Sequence, residues 1–307
     1  MNDNKRISAV VVTYNRKNTL LQCLQSIEAQ TAKPKRVFIL DNASTDGTND
    51  ILYDAGYINS ERNNIFFQYI LNDKNEGGAG GFYRGMKVAN DYGDYDALWV
   101  MDDDGIPNKD CLKNMLPYLD KFDYISPLVV DIDNEGMMSF EGCTVAEFKK
   151  RAKDGIVAGC ANPFNGILYS KRLIDAIGYP MKEMFIWGDE INYDLRAKKA
   201  GFHPVMVVNA IHRHPLNRQM YVEYFRHHSM VTSDKDWKLF CYLRNRTYNA
   251  RTFDGLKICL FQMIGDVARF TLYYGLKQHQ PSKLALVFDA LSKGFKGDFT
   301  GMNKYFG

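Results

Sequence analysis

A chain of 307 residues, 46% apolar and 24% charged, has enough apolar side chain to bury a core and is too balanced in composition for a disordered tail or a fibre. Six scattered cysteines without a C-x-x-C pair exclude a disulfide scaffold and a cysteine zinc site, and read as reduced, mostly buried thiols of a cytosolic protein. The net charge of +3 hides an asymmetry, since residues 211–307 carry 15 Lys/Arg against 7 Asp/Glu, or +8, which leaves −5 on residues 1–210.

In chain order, Ile7 to Thr13 is a β-branched run and Lys17 to Gln30 repeats apolar residues at helical spacing, so a strand and then a helix are predicted. Val37 to Leu40 predicts a second strand, closed by Asp41 and a polar turn into a helix from about Thr48. A third strand, Ile65 to Leu71, precedes the glycine-rich stretch Asn75 to Gly81, which reads as a loop, and a helix follows over Phe82 to Asn90. A fourth strand, Ala97 to Met101, runs straight into three aspartates. The segment from Pro127 to Pro163 reads as an irregular insertion or acceptor-side loop. Arg172 to Gly178 and Glu190 to Gly201 have helical patterns, Val205 to Val208 a strand pattern, and Trp237 to Arg251 and Leu256 to Lys277 are long helical candidates. Strands that alternate with helices imply a parallel sheet, whose ligands gather at the carboxyl ends of its strands. Thr13 to Arg16, Asp41 to Ser44, Asn75 to Gly81 and Asp102 to Asp104 all fall at such ends, which points to a nucleotide site.

Asp102-Asp103-Asp104, followed by Gly105, carries the most chemistry. Hard divalent cations such as Mg²⁺ or Mn²⁺ take one or two carboxylates plus substrate phosphates, although an isolated triplet is as readily a polar turn. His212, just past a strand, is a candidate third ligand, with His214 close enough to compete for the assignment. Trp187-Gly188-Asp189-Glu190 precedes a helix, where the acids either cap its N-terminus or supply a general base, Asp189 first and Glu190 second. The absence of a Walker lysine pattern and of G-x-G-x-x-G disfavours a P-loop or nicotinamide enzyme. Tyr242 to Arg246 and the helix holding Phe261, Phe270, Tyr273 and Tyr274 suggest an amphipathic surface, or equally a core-facing stripe with a solvated basic face. No nucleic-acid motif is present, and acids line the proposed cleft. The polar residues Met1 to Arg6 carry no leader pattern, and no apolar run reaches the roughly 18 to 20 residues of a membrane span. The expected location is therefore the cytoplasm, with any contact to the cytoplasmic face of an inner membrane peripheral.

Taken together, VVVTYNR, LDNASTDGT, NEGGAGGF, MDDDG, WGDE and a histidine after a strand resemble glycosyltransferase family 2, over roughly residues 7–215. The resemblance implies an α/β fold of GT-A type, a mostly parallel sheet flanked by helices. It also implies a catalytic domain over residues 1–210 and a C-terminal helical region over 211–307 for acceptor or membrane-surface contact. By the same resemblance Thr13, Asn15 and Asp41 bind the nucleoside. Asn75 and Gly78 shape the donor pocket and Arg84 lies near the diphosphate. Asp102, Asp104 and His212 hold Mn²⁺ or Mg²⁺, Asp103, Trp187 and Glu190 contact substrate, and Asp189 is the catalytic base of an inverting transfer. The glycine-rich stretch and WGDE are most similar to bacterial galactofuranosyltransferases, which implies UDP-galactofuranose as donor and a glycan or lipid-linked acceptor of a surface polysaccharide. A rhamnosyltransferase using dTDP-rhamnose is the neighbouring alternative, and a nucleotidyltransferase or a non-enzymatic sugar-nucleotide binding module lies further off.

Overall fold

The computed structural model describes residues 5–216 and 220–306. The chain divides into two compact units, residues 1–182 with 193–217, and residues 183–192 with 218–307.

The first unit begins β1 (Ile7–Thr13), α1 (Lys17–Glu28), β2 (Arg36–Asp41), α2 (Thr48–Asp54), β3 (Ser60–Arg62), β4 (Ile65–Leu71), α3 (Gly77–Tyr92) and β5 (Ala97–Asp102). It continues through β6 (Ile106–Pro107), α4 (Cys111–Met115), β7 (Tyr124–Asp131), α5 (Val145–Lys149), β8 (Ile156–Ala158), β9 (Asn165–Ser170) and α6 (Lys171–Ile177). Helix α7 (Asp189–Lys199), from Tyr193 onward, and β10 (Val205–His214) complete it. The strands form one ten-stranded sheet in the order β3-β4-β2-β1-β5-β9-β7-β10-β6, with β8 also paired to β10. β4, β2, β1 and β5 run parallel, whereas β9 is antiparallel to both β5 and β7.

The alternation of a strand's side chains explains why helices cover both faces of this sheet. Ala9 and Val11 join Leu20, Cys23, Leu24 and Ile27 of α1 in one core, while Val10 and Val12 meet Phe82, Met86 and Ala89 of α3 in the other. Each Val, Leu, Ile, Phe or Met side chain among them contributes about 1.5–3 kcal/mol when fully buried.

The structure corrects the reading of residues 75–81 as a loop, because α3 starts at Gly77 and runs through the glycines. A Cβ on Gly81 would stand 2.5 Å from Val12 Cγ1, and one on Gly85 2.7 Å from Val10 Cγ1. These glycines let the helix backbone lie directly on β1. The span read as irregular, 127–163, holds the buried strand β7 together with α5 and β8. β10 is longer than its apolar core suggests, with an irregularity between Val207 and Ile211, and carries His212 and His214 within the strand.

The second unit holds the hairpin β11 (Met220–Phe225) and β12 (His228–Thr232), then α8 (Asp236–Asn249), α9 (Leu256–Phe270) and α10 (Lys283–Lys296). π-type turns at Ala250–Asp254 and Thr271–Lys277 follow α8 and α9. Its core joins Leu239, Phe240 and Leu243 of α8 to Phe270 and to Leu286, Val287 and Leu291 of α10. Of the two readings of these residues, an amphipathic surface or a core-facing stripe, Arg244, Asn245, Phe270 and Tyr274 follow the second, being buried, whereas Phe261 faces solvent.

Candidate active site

In the first unit the carboxyl ends of β1 and β5 are neighbours because the strands pair in parallel, with Val12 opposite Asp102. The three aspartates leave the sheet there. Thr13 Oγ1 donates to Asp103 Oδ2 at 2.6 Å. The Arg16 guanidinium donates through one nitrogen to Asp103 Oδ1 at 3.1 Å and to Asp104 Oδ2 at 2.7 Å. Asp103 and Asp104 are both buried. Burial, opposed by Arg16 and by the Thr13 hydroxyl, pushes the Asp103 carboxyl up to about 6. A cation at this strand end therefore meets concentrated negative charge that a single arginine only partly offsets.

Two histidines share a face of β10, two residues apart. His214 Nε2 lies 3.2 Å from Asp104 Oδ1. Its Nδ1 stands 2.6 Å from the Pro215 carbonyl oxygen, a contact that requires an N–H on that nitrogen and so leaves Nε2 turned to the carboxylate. Orientation of one ring nitrogen by a backbone carbonyl is the way proteins present the other to a metal. His212 is fully buried, and neither ring nitrogen has a hydrogen-bond partner. A Cβ on Gly105 would fall 2.2 Å from its Nε2, and one on Gly166 2.5 Å from its Nδ1. The imidazole thus fills a slot between two glycine backbones. Burial, reinforced by His214 and opposed by Asp104, lowers its pKa to about 3, so it is neutral near pH 7. His214 is in contact with Asp104, while His212 lies beside Gly105, the residue that follows the aspartates, with both ring nitrogens buried and unpartnered. Among the described residues no three His, Cys, Asp or Glu groups form a ready metal cage. Paired carboxylates that a substrate phosphate completes are nevertheless the set Mg²⁺ and Mn²⁺ use.

Asn15 and Asp41 bracket the loop after β2. Asn15, with φ of 53°, donates its backbone N–H to Ser44 Oγ at 2.9 Å and accepts from Thr45 N–H at 2.7 Å. Asp41 accepts from Ser44 N–H and from Tyr69 Oη, both at 2.7 Å. Asn75 sits before α3, where its Oδ1 accepts from Gly77 N–H at 2.8 Å and from Asn42 Nδ2 at 3.0 Å. Nothing lies within 4 Å of where a Gly78 Cβ would stand, and Arg84 is exposed on α3.

The second unit holds Trp187, Asp189 and Glu190. Residues 183–188 form a loop with Phe185 and Trp187 at φ of 66° and 58° and Gly188 at 100°, values that only tight tethering makes affordable outside glycine. The tethers come from α8. Asn245 Nδ2 donates to the carbonyls of Met184, Ile186 and Trp187 at 2.9, 3.0 and 2.8 Å. Arg244 reaches the Met184 and Phe299 carbonyls at 2.9 and 3.0 Å, and Asn249 Nδ2 reaches the Gly188 carbonyl at 2.9 Å. Glu190 folds back to accept from Gly188 N–H at 2.9 Å, as a residue of a helix's first turn does. Asp189, at the head of α7, is buried. Reasoning from sequence does not assign roles to Arg16, Arg244, Asn245 and Asn249. Only the position of Arg16 just past a strand end signals it, and the spacing of 245 and 249, one helical turn, becomes meaningful once their common target is visible.

Residues 8–141 match the family model for glycosyl transferase family 2. The chain is 29% identical over 290 residues to galactofuranosyltransferase GlfT1 of Mycobacterium tuberculosis, covering 91% of each. It is 26% identical over 263 residues to the GlfT1 of Mycolicibacterium smegmatis, covering 81% of this chain and 84% of that one. A shorter similarity, 37% over 118 residues, links it to abequosyltransferase RfbV of Salmonella typhimurium, covering 37% of this chain and 32% of that one. Among solved structures, S. aureus TarS 1–349 in complex with UDP-GlcNAc superposes with a TM-score of 0.56 at 16% identity, covering 94% of this chain and 80% of that one. Mannosyltransferase PcManGT from Pyrobaculum calidifontis, in complex with GDP-Man and Mn²⁺, gives 0.54 at 17%, covering 94% and 74%. At such identities these neighbours attest the fold, and it is the GT-A fold. With its family match over residues 8–141, its homology along nearly the whole length and its fold in agreement, the chain is similar to glycosyl transferase family 2 and is a glycosyltransferase.

Proposed function

We propose that the protein is an inverting, divalent-cation-dependent galactofuranosyltransferase that transfers the sugar of UDP-galactofuranose to a glycan or lipid-linked acceptor of a bacterial surface polysaccharide. The observation that carries this reading is the carboxylate cluster of Asp102–Asp104 with Arg16 and His214 at one strand end, in a chain similar along 91% of its length to a galactofuranosyltransferase. Asp102, Asp104 and His212, with His214 set against Asp104, would hold Mn²⁺ or Mg²⁺, which supplies positive charge against the departing diphosphate when bound. Thr13 and Arg16 fix the Asp103 carboxylate, and Asp41 with Asn15 shapes the loop proposed to receive the nucleoside. Asp189 takes the acceptor hydroxyl proton as that oxygen attacks the anomeric carbon, and Trp187, Glu190, Asn75, Gly78 and Arg84 border the substrates. The domain assignment proposed with this reading places nucleotide handling in the first unit and acceptor contact in the second.

The test is consumption of a panel of sugar nucleotides in the presence of Mn²⁺ and a glycan acceptor, with the released nucleotide and the product mass recorded. Turnover of UDP-galactofuranose that stops with a chelator supports the proposal. Turnover only of dTDP-rhamnose selects the alternative donor, and hydrolysis without transfer rejects both.

A further inference from the structure

We infer that α9, with the π-type turn after it, forms the surface by which this protein lies on an anionic lipid bilayer. The inference gives a location to the membrane-surface contact expected from the sequence, and neither its argument nor its test depends on the donor sugar of the proposed function. Successive helical residues turn by about 100°, which places Leu260, Phe261 and Ile264 on the side of α9 opposite Cys259 and Phe270, both of which are buried in the unit. Phe261 is 81% exposed and Ile264 69%, and Leu276 in the following turn is 65% exposed. One exposed leucine is ordinary, but Leu256, Ile258, Leu260, Phe261 and Ile264 exposed within nine residues of one helix, with Leu276 beyond them, are the mark of an interaction face.

The charges on the same element identify the occupant. From Leu256 to Lys277 the chain carries Lys257, Arg269 and Lys277 and a single acid, Asp266. Asp266 is buried, with Arg246 at 2.7 Å and Arg269 beside it, so the acid is neutralised within the unit and Lys257 and Lys277 face water uncompensated by it. Lys277 Nζ also donates to the Glu223 carbonyl at 2.7 Å. That bond sets the hairpin against the turn, and its tip adds exposed Phe225 beside Arg226. An apolar ridge rimmed by cations, on a helix that lacks the length and apolarity to cross a membrane, has the pattern of a helix lying in the headgroup layer, its apolar side among acyl chains and its lysines at lipid phosphates. A protein partner or a second copy offers no reason for the acid to be withdrawn and the cations left outward.

The test uses the full chain and sedimentation with vesicles of phosphatidylcholine alone or of phosphatidylcholine with phosphatidylglycerol. The wild type is expected to partition onto the anionic vesicles, less onto the neutral ones, and less again as salt is raised. The double substitution Phe261→Glu with Ile264→Glu lies on exposed positions and is expected to lower that partition by at least about tenfold with circular dichroism and melting unchanged. A folded variant that binds as the wild type does would overturn the inference, as would a wild type that ignores anionic vesicles. A lipid-free wild-type dimer that the same substitution converts to monomer in sedimentation velocity would overturn it too, assigning the face to a second copy.

Discussion

Asn245 gives the sharpest test of how the 183–188 loop is held. Its amide offers two N–H groups to three carbonyls, those of Met184, Ile186 and Trp187, so one bond is shared. Asn245→Asp preserves shape and still accepts from Arg244 Nε, which now stands 2.9 Å from Oδ1, but it turns an acceptor toward acceptors. Two net hydrogen bonds at about 1 kcal/mol each, plus the cost of buried carbonyls left unpaired, give a loss of about 2–4 kcal/mol. For a unit of 100 residues, 183–192 with 218–307, that loss lowers its melting temperature by roughly 10–20 °C. Trp187 and Trp237 lie in this unit and Trp99 in the other, so fluorescence melting in a Trp99→Phe background follows the right transition. The loop should also become sensitive to protease, and transfer should fall more than donor binding, since Asp189, the proposed base, sits at the loop's end. A melting point within about 3 °C of the parent, which corresponds to well under 1 kcal/mol at this size, would refute the claim that this amide holds the loop.

Other outcomes follow from the same geometry. Gly81→Ala, which drives a methyl to 2.5 Å from Val12 Cγ1, should cost about 1–3 kcal/mol in urea unfolding. Gly78→Ala meets nothing within 4 Å and should stabilise the helix by up to about 1 kcal/mol, while raising the KM for donor if this position borders the sugar nucleotide. His212 has a folded pKa of about 3 against an ordinary 6.5, so between those values the unfolded chain binds more protons. In the presence of a chelator the histidine's stabilising contribution is complete above pH 6.5 and declines as pH falls toward 3. Because Asp103 shifts oppositely, the effect is read as the difference between wild type and His212→Gln in pH-dependent urea midpoints, and identical pH slopes would contradict it. Asp104→Ala and His214→Ala should each weaken Mn²⁺ binding in the presence of UDP by at least about tenfold in calorimetry. Unchanged Mn²⁺ affinity in both would remove the proposed cation site.

The strands that frame the site are legible because β1, β2, β4 and β5 are short apolar runs that end abruptly in polar residues, and Asp102–Asp104 announce themselves by position. The glycines of α3 mislead for a physical reason. Glycine marks either conformational freedom or close approach, and only the neighbouring Val10 and Val12 side chains decide for approach. The antiparallel course of β9 is hidden because a buried apolar strand carries no mark of direction. His212 and His214 are two positions of equal chemistry on one face, and their different surroundings, Asp104 for His214 and two glycine backbones for His212, are not written in the local sequence. The hairpin at 220–232 lacks the usual Asn-Gly signal, since Arg226 and His227 take up its positive φ values. The three tethers of the 183–188 loop are invisible for a different reason, as they join side chains to main-chain carbonyls some sixty residues away.

The route of the chain between its two units bears on how the protein can be cut. Because 183–192 groups with 218–307, a stop codon near residue 217 would not release a self-sufficient first unit. It would strand ten residues whose carbonyls depend on an arginine and two asparagines that had never been translated. Genetic dissection of this enzyme therefore has to proceed by substitution, because no single truncation point separates one unit from the other.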